Sequence, residues 1–340
     1  MKVCFPNFGS VGIVLETLCR QENIQYTPPQ AELEEALAIG ARLSPEGVCL
    51  PMKRMLGEFV LAAREGADTA LFLGGSGPCR FGYFAPMMQT ILEQQGIDMR
   101  VLSMEAPEGS RLQFIKDLSR LLHCSEARTA RLLLKGWRAM QWLDRWEAQR
   151  LRVIAQTGQR PPKAEAEGSF SLLTAKLQER CRAWQLKTPP QDLLRVGIVG
   201  DIYSTVDPLI NHGLQERLAE MGVLTRRSIE LSSYLLHLLT GNRAQNKAAK
   251  PYLARGIGGF AQETIGASQQ MLAEGFDGLI QVYPLSCMPE IVADGILTGM
   301  QQDTPIPVLR LVLDEHSGQA GNQTRLEAFA DMLKRRRKAG

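Results

Sequence analysis

Three cysteines stand in settings that could hold a thiolate against a metal. Cys79 lies in Gly74-Gly75-Ser76-Gly77-Pro78-Cys79-Arg80-Phe81-Gly82-Tyr83, with three glycines and a proline in the five residues before it. A tight loop of that composition leaves room for a bulky group close to backbone amides, which can donate hydrogen bonds to anionic sulfur. Cys287 lies in Leu285-Ser286-Cys287-Met288-Pro289-Glu290, a strand-to-helix turn with proline near the helix start. Cys49 precedes Leu50-Pro51-Met52-Lys53, so it sits at or just before a helix N-terminus, where the dipole favours a thiolate. The chemistry open to such a set is metal ligation, either iron–sulfur or zinc completed by His316. The plain alternative is that all three are small buried hydrophobes, the usual fate of a free cysteine. No Cys-x-x-Cys pair tips that balance. Cys19 and Cys181 read as structural, Cys4 as cleft-adjacent, and Cys124 is left unassigned.

The elements that must position these residues follow from periodicity. A strand is expected over residues 2–5, a helix over 11–21, a second strand over 24–27, and helical patterning again from 31. Further helices are expected over 51–63 and 86–95, with a buried strand over 68–74 between them. Alternation at this spacing implies βαβ units and a parallel sheet. The stretch from 125 to 185 changes character, being rich in Ala, Leu, Arg, Glu and Trp at helical spacing and broken by a Pro-Pro-Lys turn. It predicts a helical connector in which Trp137, Trp142 and Trp146 serve packing.

A new α/β unit begins after Pro189-Pro190 with Arg195-Val196-Gly197-Ile198-Val199-Gly200-Asp201. Cys79 lies eleven residues after Asp68, and Cys287 ten after Asp277, each following an apolar run. The expectation is α/β: two Rossmann-like, flavodoxin-like lobes with parallel sheets, pseudo-repeated. The first covers 1–124 and holds Cys49 and Cys79; the connector covers 125–190; the second covers 191–340 and holds Cys287. Ligands of open α/β sheets bind beyond the carboxyl ends of the strands, so a common cleft is expected to hold the cysteines.

Composition narrows the partners. With 340 residues, 44% hydrophobic and 22% charged, the chain can build two cores. A net charge of +3 gives no electrostatic case for nucleic acid. The basic run Lys334-Arg335-Arg336-Arg337-Lys338 suits a helix C-terminus. No run approaches the roughly 20 apolar residues of a membrane span, and the first residues read as a strand and loop rather than a signal peptide. Seven scattered cysteines do not make a secreted disulfide framework. A reducing, cytoplasmic setting is expected.

The runs Gly47-Val48-Cys49-Leu50-Pro51-Met52-Lys53 and Gly74 to Tyr83 resemble the 2-hydroxyacyl-CoA dehydratase D-component-like superfamily, in particular the branch labelled CoA-protein activase or activator-associated protein. Gly200-Asp201-Ile202-Tyr203, Leu285 to Glu290, Leu313-Asp314-Glu315-His316-Ser317-Gly318 and Thr324-Arg325-Leu326-Glu327 resemble the same branch. The resemblance spans both lobes. It implies a cubane 4Fe-4S cluster held by Cys49, Cys79 and Cys287, reduced by a separate ATP-hydrolysing activator of the actin/Hsp70 fold. Ser76 stands where many relatives are expected to have a further cysteine, which implies a single cubane rather than a double one.

Around such a cluster, Lys53, Ser76, Arg80 and Tyr83 are the expected supporting residues, with Lys53 and Arg80 offsetting its negative charge. Glu290 and His316 are the acid/base candidates, and Glu315 and Asp201 share the choice between acid/base work and loop fixing. The sequence carries no Walker loop, dinucleotide fingerprint or actin-like phosphate signature, so any ATPase is expected on the partner. Expected partners are that activator, a related cluster-bearing subunit or a second copy, and an acyl-CoA or other small molecule. Two other readings stay open: an electron-transfer or assembly subunit with no substrate, and a metal-free two-lobed metabolite-binding protein.

Overall fold

A computed structural model describes the chain apart from residues 30–32, 73, 75–78, 104–110, 187–192, 241, 254, 305 and 340. It divides into two compact units, Met1–Leu143 with Ala164–Glu179, and Asp144–Lys163 with Arg180–Gly340. The first runs β1 (Val3–Cys4), α1 (Ser10–Gln21), β2 (Tyr26–Thr27), α2 (Leu33–Leu43), α3 (Leu50–Arg64) and β3 (Thr69–Phe72). A 3-10 turn (Arg80–Tyr83) leads into α4 (Phe84–Gln94), β4 (Arg100–Ser103) and α5 (Arg111–Leu121). Two further helices follow, α6 (Glu126–Thr157) and α7 (Phe170–Ala183). The second unit continues with β5 (Leu194–Gly200), α8 (Ile202–Val206), α9 (Leu214–Glu220) and β6 (Val223–Arg227). Next come α10 (Leu231–Thr240), α11 (Arg243–Ala249), α12 (Ala261–Ala273) and β7 (Gly278–Pro284), then α13 (Met288–Asp303), β8 (Val308–Leu313) and α14 (Gln319–Ala339).

Each unit carries one four-stranded, wholly parallel sheet, with orders β2-β1-β3-β4 and β6-β5-β7-β8. These are the same flavodoxin-like order, so the expected α/β class with two Rossmann-like lobes is what the chain adopts. The repeat extends to single hydrogen bonds. Asp68, just before β3, accepts from the Lys2 N–H at 3.0 Å and donates its own N–H to the Lys2 carbonyl at 3.0 Å. Asp277, just before β7, accepts from the Arg195 N–H at 2.6 Å and donates back to the Arg195 carbonyl at 2.9 Å.

Parallel strands covered on both faces read as continuous apolar runs, and all seven residues of β7 are buried. Val199 and Leu279 pack with Ile265 and Met271 of α12 and with Ala293 and Leu297 of α13. In the first unit Val3, Phe5 and Leu71 enclose Cys19 of α1. The strand expected over 24–27 shortens to two ladder residues, although the Gln25 carbonyl still accepts from the Val3 N–H at 2.9 Å.

Helix α3 is buried along Leu50–Val60, including Lys53, Arg54 and Glu58. Arg54 pairs with Glu58 one turn on, Nη2 to Oε1 at 2.9 Å. Such a helix has to pack closely, and two glycines allow it. A Cβ on Gly40 of α2 would lie 1.6 Å from the Lys53 carbonyl oxygen, and one on Gly57 would lie 1.8 Å from that of Ala36. The α2–α3 crossing therefore brings backbone against backbone, and α3 presents Cys49 at its N-cap.

The helical stretch expected as a connector over 125–190 is shared between the units. Within the first unit, Phe170, Leu173 and Leu177 of α7 are buried, and the Phe170 N–H donates to Gln21 Oε1 at 3.1 Å. The second half of α6 belongs to the second unit, where Trp146 is fully buried and donates Nε1–H to the Pro162 carbonyl at 3.2 Å. Arg150, also buried, pairs with Glu147 at 2.8 Å and Glu216 at 3.2 Å. The basic run closes the last turn of α14, where cations complement the helix dipole. Among the described residues no helix is long and apolar enough to cross a membrane.

Candidate functional site

In the first unit, Cys49 is the N-cap of α3, with extended backbone (φ −74°, ψ 155°) and its carbonyl accepting from the Met52 N–H at 3.1 Å. Proline at the helix start suits the helical φ and costs no hydrogen bond. Cys79 is the N-cap of the 3-10 turn, again extended (φ −71°, ψ 135°), and accepts from the Gly82 N–H at 3.1 Å. Phe81 anchors that turn by stacking on Phe72 of β3, with ring centroids 5.1 Å apart. Arg80 Nη1 donates to the Gly47 carbonyl at 2.9 Å, tying the Cys79 segment to the residues just before Cys49. Both thiols are half-buried. Lys53 is buried one turn beyond Cys49, and Tyr83 is 68% exposed. Ser76 lies outside the described residues.

In the second unit Cys287 is the N-cap of α13, with its N–H on the Pro284 carbonyl at 2.9 Å and its carbonyl accepting from Ile291 at 3.0 Å. Cys79 and Cys287 thus hold the same topological place: each heads the helical segment that follows the third strand in sequence order of its sheet. None of the three cysteine N-caps has a side-chain cap hydrogen bond. The set is divided, two thiols in the first unit and one in the second. Among the described residues no group of three or more His, Cys, Asp and Glu side chains is arranged to hold a metal ion.

The remaining thiols differ in setting. Cys4 lies in the ladder of β1 and is buried rather than cleft-adjacent, and burial pushes its thiol up to about 12, with Glu58 and Asp68 adding to the shift. Cys19 is likewise pushed up to about 12 by burial. Both stay protonated near neutrality, which suits packing and not ligation.

Glu290 is completely buried, in contact with Thr264 Oγ1 at 3.0 Å and Gln281 Nε2 at 3.2 Å. Burial raises its carboxyl to about 8, helped by the nearby Asp201 charge and opposed by the Gln281 and Thr264 hydrogen bonds. Asp201 caps α8, accepting from the Tyr203 and Ser204 N–H groups at 3.0 Å each. Burial raises it to about 6, and the two amide bonds keep it from rising further. Burial thus favours the protonated form of both carboxyls at this end of the second sheet, more strongly for Glu290 than for Asp201. Gly200 permits the turn into this cap: its φ is +134°, and a Cβ would lie 1.9 Å from the Val282 carbonyl oxygen.

A pH dependence follows. The folded protein keeps the Glu290 proton to about pH 8, whereas an unfolded chain releases it near 4.5. This group's contribution is complete below pH 4.5 and is lost as pH rises through 8. Glu290→Gln should remove that slope. In urea unfolding, the variant's advantage over wild type should grow by on the order of a few kcal/mol between about pH 5 and about pH 8. Parallel curves would show that Glu290 ionises normally.

His316 is exposed, and Asp314 holds its turn: Asp314 Oδ1 accepts from the His316 N–H at 3.0 Å and from Ser317 Oγ at 2.8 Å. Thr264 and Gln281, the partners of Glu290, carried no signal in the sequence, because each is polar on an otherwise apolar face and only the fold brings them to one carboxyl. Asp201 did carry one, as Asp directly after an apolar strand is a preferred N-cap. Neither protein-family models nor curated proteins match the chain.

Proposed function

We propose that the chain is a cytoplasmic iron–sulfur redox protein of the 2-hydroxyacyl-CoA dehydratase-like kind, in which Cys49, Cys79 and Cys287 ligate one 4Fe-4S cluster. It accepts low-potential electrons from an ATP-hydrolysing activator of the actin/Hsp70 fold and passes them to a substrate such as an acyl-CoA. The observation that carries this reading is the equivalence of Cys79 and Cys287 at repeated strand-to-helix junctions, with Arg80 tying the Cys49 segment to the first. The donors suit the group: thiolates are the usual ligands of iron–sulfur clusters, and each of these three heads a helical segment, where first-turn N–H groups lack intrahelical acceptors. When bound, such a cluster supplies one-electron reduction and an iron site open to a substrate oxygen.

The chain's own residues have definable tasks in this reading. Arg80 ties the Cys79 turn to the segment before Cys49, and it and buried Lys53, one turn beyond Cys49, are assigned the task of offsetting the negative charge of the thiolates. Glu290, held neutral, limits the negative charge near Cys287. Leu285, Met288, Ile291 and Val292 are exposed around Cys287. That apolar surface supports docking of a protein, either the activator or a related subunit or second copy. It also favours a second reading, an electron-transfer subunit without a substrate of its own.

Anaerobic purification tests the proposal. A brown protein with iron and acid-labile sulfide, reducible by an activator with ATP and a strong reductant, is the expected result. A colourless protein without iron overturns it. Reoxidation of the reduced protein by an acyl-CoA would favour the enzyme, and reoxidation only by another protein would favour the electron-transfer subunit.

A further inference from the structure

Helix α13 packs Ala293 and Leu297 into the core of the second unit, and its opposite face carries features that nothing within the protein accounts for. Leu285, in the turn before the helix, and Met288, Ile291 and Val292 on its first two turns are exposed, Leu285 by 60% and Met288 by 64%. Farther along, Gly295 and Gly299 are exposed as well. Glycine weakens a helix interior. Here no internal packing requires it, because a Cβ on either residue would meet nothing within 4 Å. Gly40 and Gly57 are the opposite case, since backbone closes on them from inside the fold. The face is also free of charge. Among the described residues no exposed position of α13 is ionisable. Glu290 is buried, and Asp294 is engaged by Arg310 and by the Tyr283 hydroxyl.

Met288, Val292, Gly295 and Gly299 form one stripe, at successive spacings of four, three and four residues. That spacing reads the same from either end. A second α13 laid antiparallel across a two-fold axis therefore sets Met288 over Gly299 and Val292 over Gly295, and each pairing occurs twice. Large side chains of one copy fill the gaps left by the glycines of the other, and the two helices can approach closely. A two-fold interface requires this kind of self-match, residue i meeting j while j meets i. Two uncharged faces also bring no like charges together.

We infer that α13 is a self-association surface, through which two copies of the chain form a two-fold dimer with Met288 packed on Gly299 and Val292 on Gly295. Leu285 and Ile291 flank the stripe and widen its apolar contact. The pairing gives the apolar surface beside Cys287 one occupant, and it does not rest on the iron–sulfur reading.

Sedimentation equilibrium of the full chain tests the pairing, in reductant so that no cysteine joins two chains. It makes no use of iron, so this inference and the iron–sulfur reading can fail separately. Wild type should sediment at twice the chain mass at micromolar concentration. Gly299→Glu should weaken association by about a hundredfold or more, because its carboxylate would be pressed onto Met288 without a counter-charge. The fold should stay intact, since the position is exposed and glutamate is a better helix former than glycine. Met288→Lys should weaken association likewise. An equimolar mixture of the two variants should recover a dimer, as the antiparallel register brings the new ammonium of one chain beside the new carboxylate of the other. A monomeric wild type would overturn the inference and leave the face to a different protein. A dimer that Gly299→Glu does not weaken would place the contact elsewhere, and a mixture that stays monomeric would overturn the antiparallel match.

Discussion

Gly57→Ala should destabilise the first unit by on the order of 3 kcal/mol or more, because one methyl group has nowhere to go. Its carbon would lie 1.8 Å from the Ala36 carbonyl oxygen, a backbone atom that cannot turn aside. Relief requires α2 and α3 to separate along their length, which gives up contacts of Met52, Met55, Leu56 and Phe59, all close to fully buried. Gly47→Ala is the matched control, since a Cβ there meets nothing within 4 Å. Urea unfolding followed by circular dichroism should show a large drop in midpoint for Gly57→Ala and almost none for Gly47→Ala. A Gly57→Ala protein that unfolds like wild type would mean that the helices do not cross backbone to backbone. The effect also bears on the proposed ligand set, because α3 is the element that presents Cys49.

The second large effect is expected at Cys287. In the proposed reading, Cys287→Ala should take anaerobically prepared protein from about four irons per chain to well under one, with matching loss of sulfide. Cys49→Ala and Cys79→Ala should do the same. Cys19→Ala should keep its iron and lose only packing stability, on the order of 1 kcal/mol, as its sulfur is enclosed by Val3, Phe5 and Leu71. Full iron in Cys287→Ala would remove the second unit from the ligand set, and equal iron loss in Cys19→Ala would point to general unfolding instead.

The central strands were readable in the sequence because parallel strands covered on both faces are apolar throughout. The apolar run after Asp277 is β7, whereas the edge strands β4 and β6, each carrying arginine and mostly not buried, have no such pattern. Asp68 and Asp277, noticed only for their distances to the next cysteine, proved to make the same pair of hydrogen bonds in each unit. The rest depended on contacts distant in sequence. Nothing local distinguishes Glu290 from an ordinary first-turn acid on a helix, and its burial comes from α12 and β7 closing over it. Glycine inside a helix carries no sign of its role at Gly40 and Gly57, and only the helix crossing shows what fills the missing side chains' space. His316 drew attention as an acid/base and ligand candidate, yet it is Asp314 whose side chain organises that turn.

The sharing of α6 and α7 between the units has a consequence for the order in which the protein can be made. Chains leave the ribosome N-terminal end first, and domains generally fold as units. Here the first unit still lacks Ala164–Glu179 when residue 143 emerges, so Phe170, which lies against Gly136 of α6 and whose N–H donates to Gln21 of α1, is not yet present, nor are the buried Leu173 and Leu177. Meanwhile residues 144–163, which belong to the second unit, have already been synthesised. Synthesis therefore interleaves the two cores, and a fragment cut at residue 143 would expose an unfilled apolar face. A separately expressed first unit needs residues 164–179 joined back to it, by fusion rather than by truncation.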